Sequence, residues 1–302
     1  MIPVLRDAGL SYLLDGDSVE TVAHEGLQFT EGPLWFPDGS LLFQDIKAEK
    51  TYKVTPDGTL SVFRSDTHAA NGQTFDAEGR IVFCEQNGRR VSRMNPDGSN
   101  VETVIEAWEG KRLNSPNDIV SRADGLLYFT DPPYGVEPED RELPFQGVYA
   151  LDSLAEPRLL LDDFEKPNGL ALSPDEKILY VCDTGRYHVR AFAVELSGTL
   201  TPDSGRVFAT LDPGQAGGPD GIKVDRDGRV YVAVALGIWA FEPDGRLLGI
   251  LSLPQRPSNL NWGGPDGKTL AITAVDHVYK VRFKVAGLTP PFGPGGSGGH
   301  PG

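Results

Sequence analysis

Apolar and polar positions alternate along this chain in short runs that recur at a constant phase. Six stretches open on Asn, Asp or Glu, usually followed by Gly, and then alternate apolar residues. They are Glu31-Gly-Pro-Leu-Trp-Phe, Asn71-Gly-Gln-Thr-Phe-Asp, Asn117-Asp-Ile-Val-Ser-Arg, Asn168-Gly-Leu-Ala-Leu-Ser, Asp220-Gly-Ile-Lys-Val-Asp and Asn259-Leu-Asn-Trp-Gly-Gly. A turn follows each: PDGS (37–40), AEGR (77–80), ADGL (123–126), PDEK (174–177), RDGR (226–229) and PDGK (265–268). A second apolar run follows every turn: LLFQD, IVFCE, LYFTD, LYVCD, VYVAV and LAITA. Period-two alternation predicts half-buried strands, and Asp-Gly between two such runs predicts a hairpin, because the turn needs a residue tolerant of positive φ.

The opening residues lie 39 to 52 residues apart, and three repeats carry a further turn, TPDG (55–58), NPDG (95–98) and EPDG (242–245). Two hairpins in a period of this length make four strands per unit, the signature of a propeller blade. The expected fold is all-β, a six-bladed propeller of four-stranded blades. After Asn259 too few residues remain for four strands, so a strand near Ser18–Val22 is expected to complete the sixth blade and close the ring. The propeller is assigned to residues 1–286 and a flexible Gly/Pro-rich tail to 287–302. The tail holds a formal G-x-S-x-G (Gly295 to Gly299), but a nucleophile elbow needs a strand before it and a helix after, so it reads as linker. Helices are not expected, since no window shows 3.6-residue apolar spacing; a β-sandwich is the rival architecture.

Charge narrows the partners. With 28 basic against 43 acidic residues, a net −15, the chain lacks the basic surface that nucleic acid or an anionic membrane requires. No apolar run approaches the roughly 20 residues of a spanning helix. The N-terminus MIPVLRDAGLSYLLDGD lacks the basic region of a signal peptide, so a cytoplasmic location is expected, as monomer or weak homo-oligomer. Two cysteines, Cys84 and Cys182, end equivalent runs of different repeats and are expected to be buried free thiols.

In a propeller the first residue of each innermost strand sits at one mouth of the central channel. Glu31, Asn71, Asn117, Asn168, Asp220 and Asn259 therefore converge on a ring of oxygen donors without sulfur or imidazole. Such a set suits Ca²⁺, Mn²⁺ or Mg²⁺, and two carboxylates nearly neutralise one divalent ion. Without a cation the two would repel each other. Asn and Asp before Gly are also ordinary turn residues, so the case rests on all six repeats sharing the phase, and which four coordinate stays open at this level.

The strings FTEGPLWFPDGSLLFQDI, NSPNDIVSRADGLLYFTDPPYG, KPNGLALSPDEKILYVCDTG and GGPDGIKVDRDGRVYVA resemble the regucalcin/gluconolactonase (senescence-marker-protein) family from about Leu27 to Phe283. The resemblance implies a six-bladed propeller that hydrolyses sugar lactones with one divalent cation in the channel, Ca²⁺ first, with Mn²⁺, Zn²⁺ or Mg²⁺ as alternatives. It implies Glu31, Asn117, Asn168 and Asp220 as metal ligands. In such relatives the Asn117-like residue often makes contact through water or substrate, which also gives it a place in the substrate set beside Asn71. The chain departs from the animal pattern at Ser115, where a substrate-binding Arg stands two places before the Asn; Arg112 is the candidate replacement. The expected chemistry is Lewis-acid polarisation of the lactone carbonyl and attack by water, with Asp220 as candidate base and Glu31 mainly a ligand. That Asp220 is a ligand only is the alternative.

Further candidates are weaker. His68, three residues before Asn71, could reach the rim as a base or be a solvated loop residue. Asp45, Glu85, Asp131 and Asp183 follow the second strands and are expected mostly to cap loop backbone. Tyr134, in the rigid Asp131-Pro-Pro-Tyr134-Gly loop, is a candidate pocket wall. Arg89 and Arg90 could meet a hydroxylated or acidic substrate or form exposed ion pairs; Trp35 and Trp262 read as core. Two other functions fit the architecture: a phosphotriesterase of the diisopropylfluorophosphatase type, and a non-catalytic interaction platform, which would need no acidic channel.

Overall fold

The computed structural model describes residues 3–152, 156–211 and 217–290. Those residues form six antiparallel sheets, each built on four strands in meander order. The innermost strands are Thr30–Trp35, Ala70–Phe75, Ile119–Ser121, Pro167–Leu172, Ile222–Val224 and Pro257–Gly263, opening blades one to six. Each touches the next, and the last touches the first, so the ring is closed around a channel. The protein is a six-bladed β-propeller. The hairpin turns between first and second strands place Gly39, Gly79, Gly125, Gly228 and Gly267 at positive φ, and in the PDEK turn Glu176 takes that conformation instead.

Stability lies between blades. Six clusters of buried apolar residues each span a pair of neighbouring blades. Every blade therefore shares its core with two others. Cys84 and Cys182 are buried and free, in blades two and four.

The closing strand is Glu20–Ala23, paired antiparallel with His277–Arg282 at the outer edge of blade six. The N-terminal segment does more than the sequence pattern indicated. Val4–Leu5 first pairs with Leu247–Leu251 as a fifth strand of blade five, and a single helical turn, Leu10–Leu13, then crosses to blade six. Leu10 and Leu14 are buried in the core those two blades share. At the other end, residues 287–290 fall in the segment assigned to the tail. Gly287 N donates to Gly267 O (2.9 Å) and Leu288 N to Val224 O (2.9 Å), so packing continues to Leu288 at least. The G-x-S-x-G and the rest of the tail, 291–302, lie outside the described residues. Among the described residues no helix is long and apolar enough to cross a membrane.

Candidate functional site

The glycine that follows four of the six ring residues is a packing requirement. A Cβ at Gly32 would lie 2.0 Å from the Asn71 carbonyl oxygen, and one at Gly72 2.2 Å from Asp118 Oδ1. At Gly169 it would lie 2.4 Å from the Asp220 carbonyl oxygen, and at Gly221 2.2 Å from Asn259 Oδ1. Neighbouring inner strands thus approach the axis to a distance only glycine allows. Gly72 N donates to Asn117 O (2.8 Å), Gly169 N to Asp220 O (3.1 Å) and Gly221 N to Ser258 O (2.8 Å), stitching blade to blade. The ladder register also shifts between Glu31 and Leu34, Ala70 and Gln73, Pro167 and Leu170, and Pro257 and Asn259. Such bulges at the mouth end of a strand re-aim the side chains there.

Five of the six ring residues, Glu31, Asn71, Asn117, Asn168 and Asp220, line one cavity of about 340 Å³, and Tyr134 stands in its wall. Asn259 does not line it. Its Oδ1 accepts from Leu260 N (2.9 Å), and its side chain bonds the Glu31 and Asp118 carboxyls from below.

Electrostatics mark the mouth as a place where carboxylates crowd together. Burial, then the charge of Asp220, pushes the Glu31 carboxyl well above the ordinary range, although Gly32 N donates to its Oε2 (2.9 Å). Burial likewise pushes Asp220 up to about 7, against the opposing pull of Arg256 and the Asn168 amide. A third carboxylate, Asp118, fills the position where most repeats carry Gly. It is buried, with Lys223 Nζ 3.8 Å from its Oδ2. Lys223 in turn donates to Ile222 O (2.9 Å). Lys223 offsets Asp118 and leaves the two ring carboxylates, Glu31 and Asp220, whose charge one divalent cation would balance; Arg256 and Lys47 line the same cavity.

The neutral donors agree with that count. Asn71 Oδ1 is buried without a hydrogen-bond partner. Asn168 Nδ2 donates to Tyr134 Oη (3.3 Å) and Thr184 Oγ1 (3.2 Å), which leaves the amide oxygen for another partner. Thr184 Oγ1 is itself fixed by donating to Pro219 O (2.6 Å). Among the described residues no three His, Cys, Asp or Glu side chains converge to ligate a metal by themselves, so a cation here relies on the amide oxygens. The donor set is hard oxygen throughout and fits Ca²⁺, Mn²⁺ or Mg²⁺. Burial, then the nearby charge of Asp220, pushes the Tyr134 hydroxyl up to about 12, so it stays protonated at neutral pH.

The acids that follow the second strands hold loops. Asp45 accepts from Gln28 N (2.8 Å) and Phe29 N (3.0 Å), Asp131 from Asn114 N and Ser115 N (both 2.8 Å), and Asp183 from Glu165 N and Lys166 N (both 3.1 Å). Each thus pins the segment that leads into the inner strand of its own blade. Glu85 instead takes Arg90 Nε (2.5 Å).

Several expected site residues lie elsewhere. Arg112 sits on a two-stranded ribbon, Ala107–Trp108 with Lys111–Arg112, exposed and donating to Gly88 O (3.4 Å), and does not line the cavity. The ribbon turns it toward solvent. Ser115, the position at which the resemblance implied an Arg, accepts from Gly135 N (3.1 Å) and ties the Tyr134 loop down. Arg89 is buried and donates to Leu113 O (2.8 Å) and Asp140 O (3.2 Å), so it is structural. His68 is exposed at positive φ (53°), outside the lining. Trp262 is fully buried. Sequence reasoning missed Asp118, Lys223, Thr184, Lys47 and Arg256. One signal was available for the last: Arg256 stands three residues before Asn259, the phase at which His68 was noticed before Asn71.

Known proteins resemble this chain along most of its length. The family model described as SMP-30/gluconolactonase/LRE-like region matches residues 29–276. The gluconolactonase of Zymomonas mobilis is 33% identical, with 92% of this chain and 85% of the relative aligned. Lactonase drp35 of Staphylococcus aureus is 25% identical over 84% of this chain and 78% of its own length. The solved structure of a gluconolactonase from Xanthomonas campestris superposes with a TM-score of 0.85 at 33% identity, covering 94% of this chain and 95% of that one. The chain belongs to the SMP-30/gluconolactonase/LRE-like family.

Proposed function

We propose that this protein is a hydrolase that opens the ring of a small sugar-type lactone with the help of one divalent cation, Ca²⁺ first among the candidates. The observation that carries the reading is the convergence of two carboxylates, buried Glu31 and half-buried Asp220, with three amide side chains on one cavity, in a chain whose relatives include gluconolactonases.

Glu31, Asn117, Asn168 and Asp220 would hold the cation, with Asn71 and Tyr134 facing the substrate. When bound, the cation would polarise the lactone carbonyl as a Lewis acid. Asp220 takes a proton from the attacking water as its oxygen adds to the carbonyl carbon. The ring C–O bond then breaks, and Asp220 returns its proton to the leaving alkoxide oxygen, giving the hydroxy acid and restoring the base. Tyr134 keeps its proton and offers a hydroxyl to a substrate oxygen. Asn168 orients that hydroxyl by donating to its oxygen. A carboxylate that shares its charge with a cation is a weaker base, so the two roles of Asp220 need separate tests.

A panel of aldonolactones beside diisopropyl fluorophosphate, assayed by acid release with and without added Ca²⁺, tests the reading. Ring opening of at least one lactone, faster than phosphotriester cleavage, is the expected result. Cleavage of the phosphotriester with every lactone untouched would replace it with the phosphotriesterase reading.

A further inference from the structure

We infer that the lactone opened here carries an anionic group, a carboxylate or a phosphate, at the end remote from the reacting carbonyl. The inference rests on the lactonase reading and concerns the same cavity.

The cavity wall is not uniform. On the side of blades two to four the polar groups are neutral: Gln86, Tyr134 and Thr184 offer amide and hydroxyl groups suited to sugar hydroxyls. On the side of blades six and one stand two cations, Arg256 from the segment entering blade six and Lys47 from the loop after Leu41–Asp45. Both are exposed. No carboxylate of the described residues lies within ion-pair distance of either. The Lys47 ammonium lies 5.7 Å from the centroid of the Phe29 ring. The Arg256 guanidinium lies against Gly217, where a Cβ would come within 3.2 Å of its Nη1. A third cation, Lys166, reaches over the Tyr134 ring (5.9 Å) outside the lining.

Scarcity of partners does not explain this arrangement, because acidic residues outnumber basic ones 43 to 28. Two cations beside a cation site also carry a cost, since their field opposes loading of the divalent ion. Arg256 already favours the ionised form of Asp220, but a neutral lactone gives Lys47 nothing to meet. An anionic substrate differs: with its carbonyl between Glu31 and Asp220, a far end turned to Arg256 would meet a planar guanidinium that can take a carboxylate or phosphate through two parallel hydrogen bonds. At about 340 Å³ the cavity stands at the small end of the roughly 300–1,000 Å³ usual for small-molecule sites, which suits one monosaccharide-sized ring.

The test uses cation-loaded protein and two matched pairs. Galactaro-1,4-lactone differs from galactono-1,4-lactone by a carboxylate in place of the terminal CH₂OH, and glucono-1,5-lactone is compared with its 6-phosphate. We expect kcat/KM for at least one anionic lactone to exceed that of its neutral partner by about tenfold or more, and the pair showing the preference identifies the anion. Arg256→Met should lower the anionic-to-neutral ratio by about tenfold, chiefly through KM, and Lys47→Met by less. Arg256→Lys should retain part of the preference, and added NaCl should erode it. Galactarate, titrated calorimetrically as the open-chain product, should bind wild type more tightly than Arg256→Met. Equal rates within both pairs, together with an unchanged ratio in Arg256→Met, would overturn the inference and leave the lactonase reading standing. Failure of loaded wild-type protein to open any of the four lactones would instead remove that reading, and the inference with it.

Discussion

Lys223 holds its ammonium 3.8 Å from the Asp118 carboxylate inside the channel, beneath the ring that carries Glu31 and Asp220. The ammonium offsets the charge of that buried carboxylate. Its removal would leave a buried carboxylate without a counter-charge. Lys223→Met is expected to lower unfolding free energy by about 3–5 kcal/mol, and Asp118→Asn in the same chain to restore much of the loss. Urea denaturation of the two single variants and the double variant measures the coupling. Additive losses would show that the two charges do not support each other.

The glycines of the ring yield a second prediction. Gly169→Ala would place a Cβ 2.4 Å from the Asp220 carbonyl oxygen, backbone that cannot turn aside. Overpacking of this kind costs about 1–3 kcal/mol, and here it also displaces Asp220. Thermal unfolding should report the first effect and hydrolysis the second. An alanine variant with wild-type melting temperature and activity would mean the inner strands can separate without consequence.

Ring closure can be tested by truncation. Deleting residues 1–24 removes Val4–Leu5 and Glu20–Ala23 together, exposes two sheet edges and strips Leu10 and Leu14 from the core of blades five and six. A large fall in melting temperature or loss of soluble protein is expected, whereas truncation after Pro290 should leave the melting temperature unchanged. Equal stability of the N-terminally deleted and full-length proteins would contradict a ring closed by that segment.

How far the sequence reveals this molecule depends on repetition. Glu31, Asn71, Asn117, Asn168 and Asp220 were legible because six blades impose one phase, and in five of the six blades a residue at that phase lines the cavity; Asn259, at the same phase, is turned to its own backbone. The loop-capping acids Asp45, Asp131 and Asp183 were legible for the same reason. Asp118 and Lys223 were not, because each departs from the repeat within a strand that otherwise reads as ordinary alternation. Val4–Leu5 is too short to show any periodicity. Arg256 and Lys47 sit in loops, where no repeat constrains direction; Arg112, chosen by proximity in sequence, is carried outward by a ribbon only two residues long on each side.

The division of labour between the two channel carboxylates is open to direct measurement. Glu31→Gln and Asp220→Asn each remove one charge with little change of shape, so both should weaken cation affinity. At saturating cation, Glu31→Gln should recover a substantial part of kcat, since an amide oxygen still coordinates. Asp220→Asn should remain slower by the roughly 10²–10⁴-fold typical of general-base assistance. Metal content determined in each variant guards against an empty site imitating a lost base. Equal recovery of both would make Asp220 a ligand only.

The central claim is that a divalent cation, balancing the charge of Glu31 and Asp220, is required to open a lactone. Its most direct test is the rate of acid release from glucono-1,5-lactone, above the spontaneous rate, by protein stripped with chelator and then reloaded. The account predicts that stripped protein shows no rate above background and that Ca²⁺ or Mn²⁺ restores it, with a rise in melting temperature on loading because the cation binds only the folded ring. Full activity in protein verified to be free of divalent metal would contradict it.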